Sequence, residues 1–285
     1  MVKPPAPATA APGGEGAAVA QAVEQAEDGT SVVARVVALL RAFAEGGESL
    51  SIKDLAGQLA LAPSTVHRLL DQLVAAGLVE RTPGRRYRVS GEFSRIGALA
   101  ARKAGVLRLA RPVIQEVARE TDETCMLGML LPQTLTMMFV DKAASARPLP
   151  YAVRMHRARS LLWGATGLCL LAWLGPSAVE RVLRRGEPSP LDGRSPPDGA
   201  ALADRLARIR RRGYALTRGE QTREAVGMAA PVFGASRQIV GDLCLTLPQS
   251  RFSAADEERF ARLLTQRAAA LSRMNGYQPA PPARG

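Results

Sequence analysis

Between residues 31 and 105 the apolar positions recur at the spacing of short amphipathic helices. Val32, Val33, Val36, Val37, Leu40 and Phe43 share one stripe, and Gly46-Gly47 ends it. Ser51 with Asp54 three residues later is a capping-box pair that opens a second helix carrying Ile52, Leu55, Ala56 and Leu59. After a break at Leu61-Ala62, Pro63 suits a first helical turn, where its missing N–H has no intrahelical use. Val66, Leu69, Leu70 and Leu73 then predict a third helix to about Ala76, with Gly77 placed to terminate it. Segments 78–81 and 86–89 flank a turn at 82–85 and read as a two-stranded ribbon. Helical spacing resumes through Phe93, Ile96 and Leu99.

Beyond residue 106 the pattern becomes mixed. A helix through Val113 and Val117 precedes two strand-like runs, 124–131 and 135–140, with a turn at Pro132-Gln133-Thr134. The apolar segment 161–174 reads as a buried helix entered by a loop, and the Pro/Gly/Asp-rich stretch 186–199 as an exposed loop. Leu202, Leu206 and Ile209 predict a helix closed by Arg210-Arg211-Arg212-Gly213. Strands follow at 229–233 and 239–247. Ser253 with Asp256 then caps a last helix on Phe260, Leu263, Leu264 and Leu271. Strands interleaved with helices give an α+β or α/β second domain. The expected organisation is a disordered tail (1–29, with Pro4, Pro5, Pro7, Pro12, Gly13 and Gly14 among alanines), a winged helix-turn-helix domain (30–91), a linker helix (92–106), a larger domain (107–275) and a disordered tail (276–285).

Composition adds direction. A chain of 285 residues suits two domains, and 47% hydrophobic residues suffice for real cores. The net charge of +12 points to a polyanionic partner, although the excess is spread along the chain. Segment 31–105 holds 11 basic against 6 acidic residues, while segment 1–30 is acidic on balance. No apolar run reaches the length of a membrane span, and the N-terminus lacks the basic-then-apolar order of a secretory signal. Cys125, Cys169 and Cys244 have neither disulfide nor zinc spacing. A cytoplasmic protein without membrane partner, metal or cofactor is expected.

Two short helices, a tight turn and a ribbon follow the plan of a winged helix-turn-helix, whose second helix enters the major groove N-terminus first. That puts Ser64, Thr65, His67 and Arg68 near base edges and phosphates of double-stranded DNA. Arg81, Arg85, Arg86 and Arg88 on the wing can grip a backbone or reach a minor groove. Two other readings remain at this point: a small helical domain with a solvated basic face, and a sequence-indifferent architectural DNA binder. The second gives no use to a large C-terminal domain.

In that domain the strand 239–247 has an apolar face (Ile239, Gly241, Leu243, Leu245, Leu247) and a mixed one (Val240, Asp242, Cys244, Thr246). The mixed face either lines a ligand cavity or meets water. Enzyme readings find little. The only histidines, His67 and His156, lack metal-ligand spacing. A dyad of Cys125 or Cys244 with His156 has no local support, and a cysteine in an apolar strand reads first as a small buried hydrophobe. Asp141-Lys142 reads as a strand-end ion pair. No enzyme activity or catalytic residue is expected.

The run Pro63-Ser64-Thr65-Val66-His67-Arg68-Leu69-Leu70, with Leu73–Val79, Tyr87-Arg88-Val89, Trp163-Gly164-Ala165-Thr166-Gly167, Arg212-Gly213-Tyr214 and Ala229-Ala230-Pro231-Val232-Phe233, resembles the IclR family of bacterial transcription regulators. The resemblance spans about residues 31–275. It implies a winged helix, a dimerising linker helix and a GAF-like effector-binding domain, in homodimers that often pair into tetramers on an operator. It also implies control by a small organic metabolite, and repression more often than activation. By the same likeness Ala165 and Thr166 lie in a loop presenting amides to an anionic effector, and Cys244 and Thr246 fall where relatives place pocket hydroxyls. Thr217 stands where relatives often have Asp, and Gly227 where many have Cys. The chain departs from the pattern at Leu162-Trp163, in place of His-Ala, and at Leu168, in place of Lys. A glyoxylate-type pocket is therefore not expected. Trp163, Met126, Met129 and Met138 suit either a more apolar or aromatic effector or plain core.

Overall fold

The computed structural model describes residues 31–103, 105–147 and 151–278. These fall into two compact units, divided between Ala101 and Arg102. The expected tail 1–29 lies outside the described residues.

In the first unit α1 (Val32–Glu45) starts where the Ser31 side chain accepts from the Ala34 N–H. A short β1 (Leu50–Ser51) leads into α2 (Ile52–Leu59), which opens on the full capping box of Ser51 and Asp54. The turn runs through Ala60, held in the left-handed region at φ 50°. Then α3 (Pro63–Ala75) begins on Pro63, and β2 (Val79–Thr82) and β3 (Arg86–Val89) form the ribbon. Buried Leu39, Phe43, Leu55, Leu59, Val66, Leu69, Leu70, Leu73, Val79 and Tyr87 make one core, so the predicted stripes of α2 and α3 face inward. On α1 the prediction is corrected, because Leu39 and Phe43 are buried while Val32, Val33 and Val37 are exposed. The periodicity did not reveal β1, which pairs with β3 through Leu50 and Tyr87. Two residues are too few to show an alternating pattern. Helix α4 (Gly91–Lys103) follows, in the place of the expected linker helix, with Ile96 and Leu99 exposed.

The second unit is a five-stranded antiparallel sheet with helices on both faces. Its elements are α5 (Gly105–Thr121), β4 (Thr124–Leu131), β5 (Thr136–Ala143), α6 (Gly164–Leu171), α7 (Pro176–Arg184), α8 (Gly199–Arg212), β6 (Ala215–Arg218), β7 (Ala225–Phe233), β8 (Ile239–Pro248) and α9 (Ala254–Met274). The strand order is β5-β4-β8-β7-β6. One core joins α5 and α9 to Leu243, Leu245 and Leu247; the other joins α6, α7 and α8 to Met126, Met137, Phe139 and Cys244.

Three sequence expectations are corrected here. Helix α7 and strand β6 were missed, and β7 starts four residues before the predicted 229. Gly227 interrupts the apolar pattern early in β7, and β6 is a short edge strand. The two faces of β8 do not hold along its whole length. A register shift opposite Val232/Phe233 turns Ile239 to the α6 side and Val240 to the α9 side. The described start of the expected tail 276–285 is tied down, because Tyr277 stacks on Phe233 with ring centroids 5.1 Å apart. Residues 279–285 lie outside the described ones.

Candidate nucleic-acid interface and effector cleft

On α3 the apolar stripe is buried, so the opposite face is presented outward. Ser64, His67 and Arg68 are exposed there and Thr65 is half-buried. The N-terminus of α3 has no side-chain cap; Pro63 lacks an N–H and the Thr65 N–H donates to the Ala62 carbonyl at 2.9 Å, which leaves the Ser64 amide available to an anion. The four wing arginines differ in their commitments. Arg85 sits at the turn with φ 57°, exposed and without an ion pair among the described residues. Arg88 pairs with Glu80 across the ribbon at 2.5 Å. Arg86 is turned back into the domain, with its Nε donating to Ser49 Oγ at 2.9 Å and its Nη2 lying 3.6 Å from Asp54. Arg81 donates to Asp71 Oδ1 at 2.7 Å, and Oδ2 of the same carboxylate lies 3.0 Å from His67 Nδ1. Asp71 was not singled out in the sequence. Its helical spacing from His67 (i, i+4) is the signal that could have found it.

In the second unit all six effector candidates, Ala165, Thr166, Thr217, Gly227, Cys244 and Thr246, line one cleft. Its polar end is the start of α6, where Trp163 provides no side-chain cap. The Gly164 N–H is already taken by Glu220 Oε2 at 3.2 Å, and Glu220 is ion-paired to Arg205. The amides of Ala165 and Thr166 have no acceptor within their own helix. Opposite them the Tyr151 and Thr246 hydroxyls lie 3.0 Å apart. The remaining lining combines apolar Met126, Met137, Phe139, Val153 and Trp163 with Arg159, Gln221 and Thr222. Met126 and Trp163 are thus where the aromatic-effector expectation needs them. Met129 and Met138 are not: Met129 packs toward the α5/α9 core, and β5 turns Met137 and Phe139 inward instead of Met138. Strand alternation from buried Leu135 would have indicated that pair.

Directly behind the cleft lies Asp242, fully buried. It pairs in register with Gly128 on one side and Pro231 on the other. A Cβ on residue 128 would come within 2.0 Å of Asp242 Oδ1, so the carboxyl occupies the space a side chain there would fill. The backbones are equally close: a Cβ at Gly241 would lie 2.3 Å from the Gly128 carbonyl oxygen. Neither carboxyl oxygen finds a hydrogen-bond partner, nor does the adjacent buried Thr166 hydroxyl. Burial pushes the Asp242 carboxyl up to about 7. Burial, then the nearby Asp242, raises the Cys244 thiol as well. Cys125 and Cys169 are also buried and raised, so none of the three carries the thiolate that nucleophilic chemistry needs.

Comparison with known proteins now bears on both sites. The profile of the bacterial transcriptional regulator IclR C-terminal domain matches residues 98–273, and that of the IclR helix-turn-helix domain matches residues 32–83. The chain belongs to the IclR family. Among IclR relatives, the HTH-type transcriptional regulator Rv1719 of Mycobacterium tuberculosis is 32% identical over 237 residues, covering 83% of this chain and 89% of its own. The crystal structure of an IclR regulator from Alicyclobacillus acidocaldarius superposes with a TM-score of 0.76 at 25% identity, covering 86% of this chain and 98% of the other. An IclR homologue from Microbacterium hydrocarbonoxydans, solved in complex with 4-hydroxybenzoate, gives a TM-score of 0.71 at 26% identity, covering 86% and 98%. This IclR chain is therefore a DNA-binding transcriptional regulator with an effector domain, as its fold and motifs led one to expect. Among the described residues no helix is long and apolar enough to cross a membrane, and no cluster of His, Cys, Asp and Glu could hold a metal.

Proposed function

We propose that the protein reads a pseudo-palindromic operator as a cytoplasmic homodimer or tetramer and acts as a repressor released by a small metabolite. The observation that carries this reading is the outward face of α3. Ser64, His67 and Arg68 stand exposed over a core that leaves the helix no other surface to offer. Arg68 has the reach for a bidentate contact to guanine, while the Ser64 and Thr65 hydroxyls and the Ser64 amide suit phosphate. Arg85 and Arg88 extend the contact to the neighbouring backbone. Exposed Val32, Val33 and Val37 on α1 and Ile96 and Leu99 on α4 support self-association.

For the effector, the cleft favours a small carboxylate with an aromatic or apolar body. Its anionic end meets the amides of Ala165 and Thr166, with Thr246 and Tyr151 beside it. Met126, Phe139 and Trp163 enclose the ring. The 4-hydroxybenzoate complex of a relative agrees with that chemistry. The ligand shifts DNA affinity only by binding the two arrangements of the regulator unequally. We read the protein as a regulator and not an enzyme, since its thiols are buried and held protonated.

The test is a gel shift on DNA from just upstream of the gene, with excess non-specific competitor, repeated with 4-hydroxybenzoate and other aromatic carboxylates. A competitor-resistant complex released by one of them supports the whole reading. Specific complexes indifferent to every carboxylate would refute the effector class alone.

A further inference from the structure

Asp71 sits on the third turn of α3, among the cations that face DNA, where its own charge opposes the phosphates. It is about 42% exposed, and its two oxygens are divided: Oδ2 lies 3.0 Å from His67 Nδ1, and Oδ1 accepts from Arg81 Nη2 at 2.7 Å. It therefore links the recognition helix to the wing. His67 and Arg81 are themselves 54% and 61% exposed, and pairs this exposed contribute little to folding. A carboxylate placed there for stability alone would be ineffective and would weaken DNA binding.

What the contact does supply is orientation. A carboxylate oxygen 3.0 Å from Nδ1 favours the ring proton on that nitrogen and so biases the tautomer. In the neutral ring Nε2 is then an acceptor, suited to the exocyclic amine of adenine or cytosine in the major groove. The bond to Arg81 has a second effect. The guanidinium is drawn toward α3 and is not one of the wing's free cations, so it contributes less to sequence-indifferent attraction.

We propose that Asp71 is a specificity-determining positioning residue of operator recognition: it aims His67 Nε2 at a base edge and restrains Arg81 from indiscriminate phosphate contact. The inference rests on the operator-reading role given to α3 above. It carries a sign that a merely structural role would not give. Removing Asp71 strengthens binding to arbitrary DNA and weakens discrimination.

The experiment selects bound sequences from a randomised duplex library with the full chain, in wild-type form and as His67→Ala, Asp71→Ala, the double variant, His67→Gln and His67→Asn. Affinities for the selected duplex and a scrambled one follow across a salt series. Loss of preference at one base pair in His67→Ala identifies the position that His67 reads. Asp71→Ala is expected to lose preference at that same base pair, lowering the specific-to-scrambled ratio on the order of tenfold. Its affinity for the scrambled duplex rises and its salt dependence steepens as Arg81 is freed. The double variant discriminates no worse than His67→Ala alone. His67→Gln, whose amide reaches the Nε2 position, keeps more preference than His67→Asn. Unchanged preference in Asp71→Ala overturns the proposal. Uniform weakening on both duplexes does too, because it reduces Asp71 to a structural role. A wild-type chain that selects no sequence overturns the operator reading itself, and this inference with it.

Discussion

Asp242 gives the sharpest quantitative prediction, because a fully buried carboxyl without a partner must make stability depend on pH. In the folded chain it keeps its proton up to about 7, against an ordinary value of 3.8. Between those values the unfolded chain has released the proton and the folded chain has not. The folded state then binds more protons, so stability falls as pH rises and levels off above about 7. Integrating the two titrations from pH 5 to pH 8 gives a loss of about 2–3 kcal/mol, at about 1.4 kcal/mol per pH unit of unequal binding. Asp242→Asn keeps the shape and removes the titration. The assay is denaturant unfolding at pH 5, 6, 7 and 8, followed by tryptophan fluorescence. Both tryptophans, Trp163 and Trp173, belong to the effector domain, so the signal reports that domain alone. The difference between wild type and Asp242→Asn isolates this carboxyl from every other group. A wild-type curve parallel to that of the Asn variant would refute the reasoning. So would one that rises from pH 5 to 8 relative to it.

The neighbouring glycine gives a related test. Gly128→Ala drives a methyl into the Asp242 carboxyl and should destabilise the effector domain by about 1–3 kcal/mol, the usual range for overpacking. Pairing it with Asp242→Ala should recover much of that loss in the same unfolding assay, and strictly additive effects would contradict the packing described. Arg68→Ala should weaken operator binding by about 1–3 kcal/mol and relax preference at one base pair, read by binding to a panel of single-base operator variants. An unchanged profile would remove Arg68 from base reading. Arg85→Ala should weaken binding to all sequences and reduce the salt slope by about one, whereas Arg86→Ala should do so less and instead lower the thermal stability of the winged helix. Equal salt slopes for the two variants would mean that the Ser49 and Asp54 contacts do not hold Arg86 back.

Much of the fold was legible because its signals are local. The capping boxes at Ser51 and Ser253, the Pro63 start of α3 and the 3.6-residue stripes on α3 and α9 are set within a few positions of sequence. What escaped depends on partners distant in the chain. Strand β1 exists because Leu50 pairs with Tyr87, and the faces of β8 change over at a register shift imposed by β7. The cleft was half legible. Period two on β8 pointed to Cys244 and Thr246, and the family resemblance to the rest, but Tyr151 and Glu220 arrive from loops without periodicity. Wing arginines look alike in sequence. Only the carboxylates folded against them separate Arg85 from Arg81 and Arg86.

The most direct test of the central claim is selection from fragments of the organism's own genome by the purified full chain, in excess competitor DNA and at near-physiological salt. The account predicts that a few fragments are enriched, that they share a pseudo-palindrome, and that their recovery falls when Arg68 is replaced by alanine. Even recovery of all fragments, falling only with salt, would mark a sequence-indifferent binder and contradict the account.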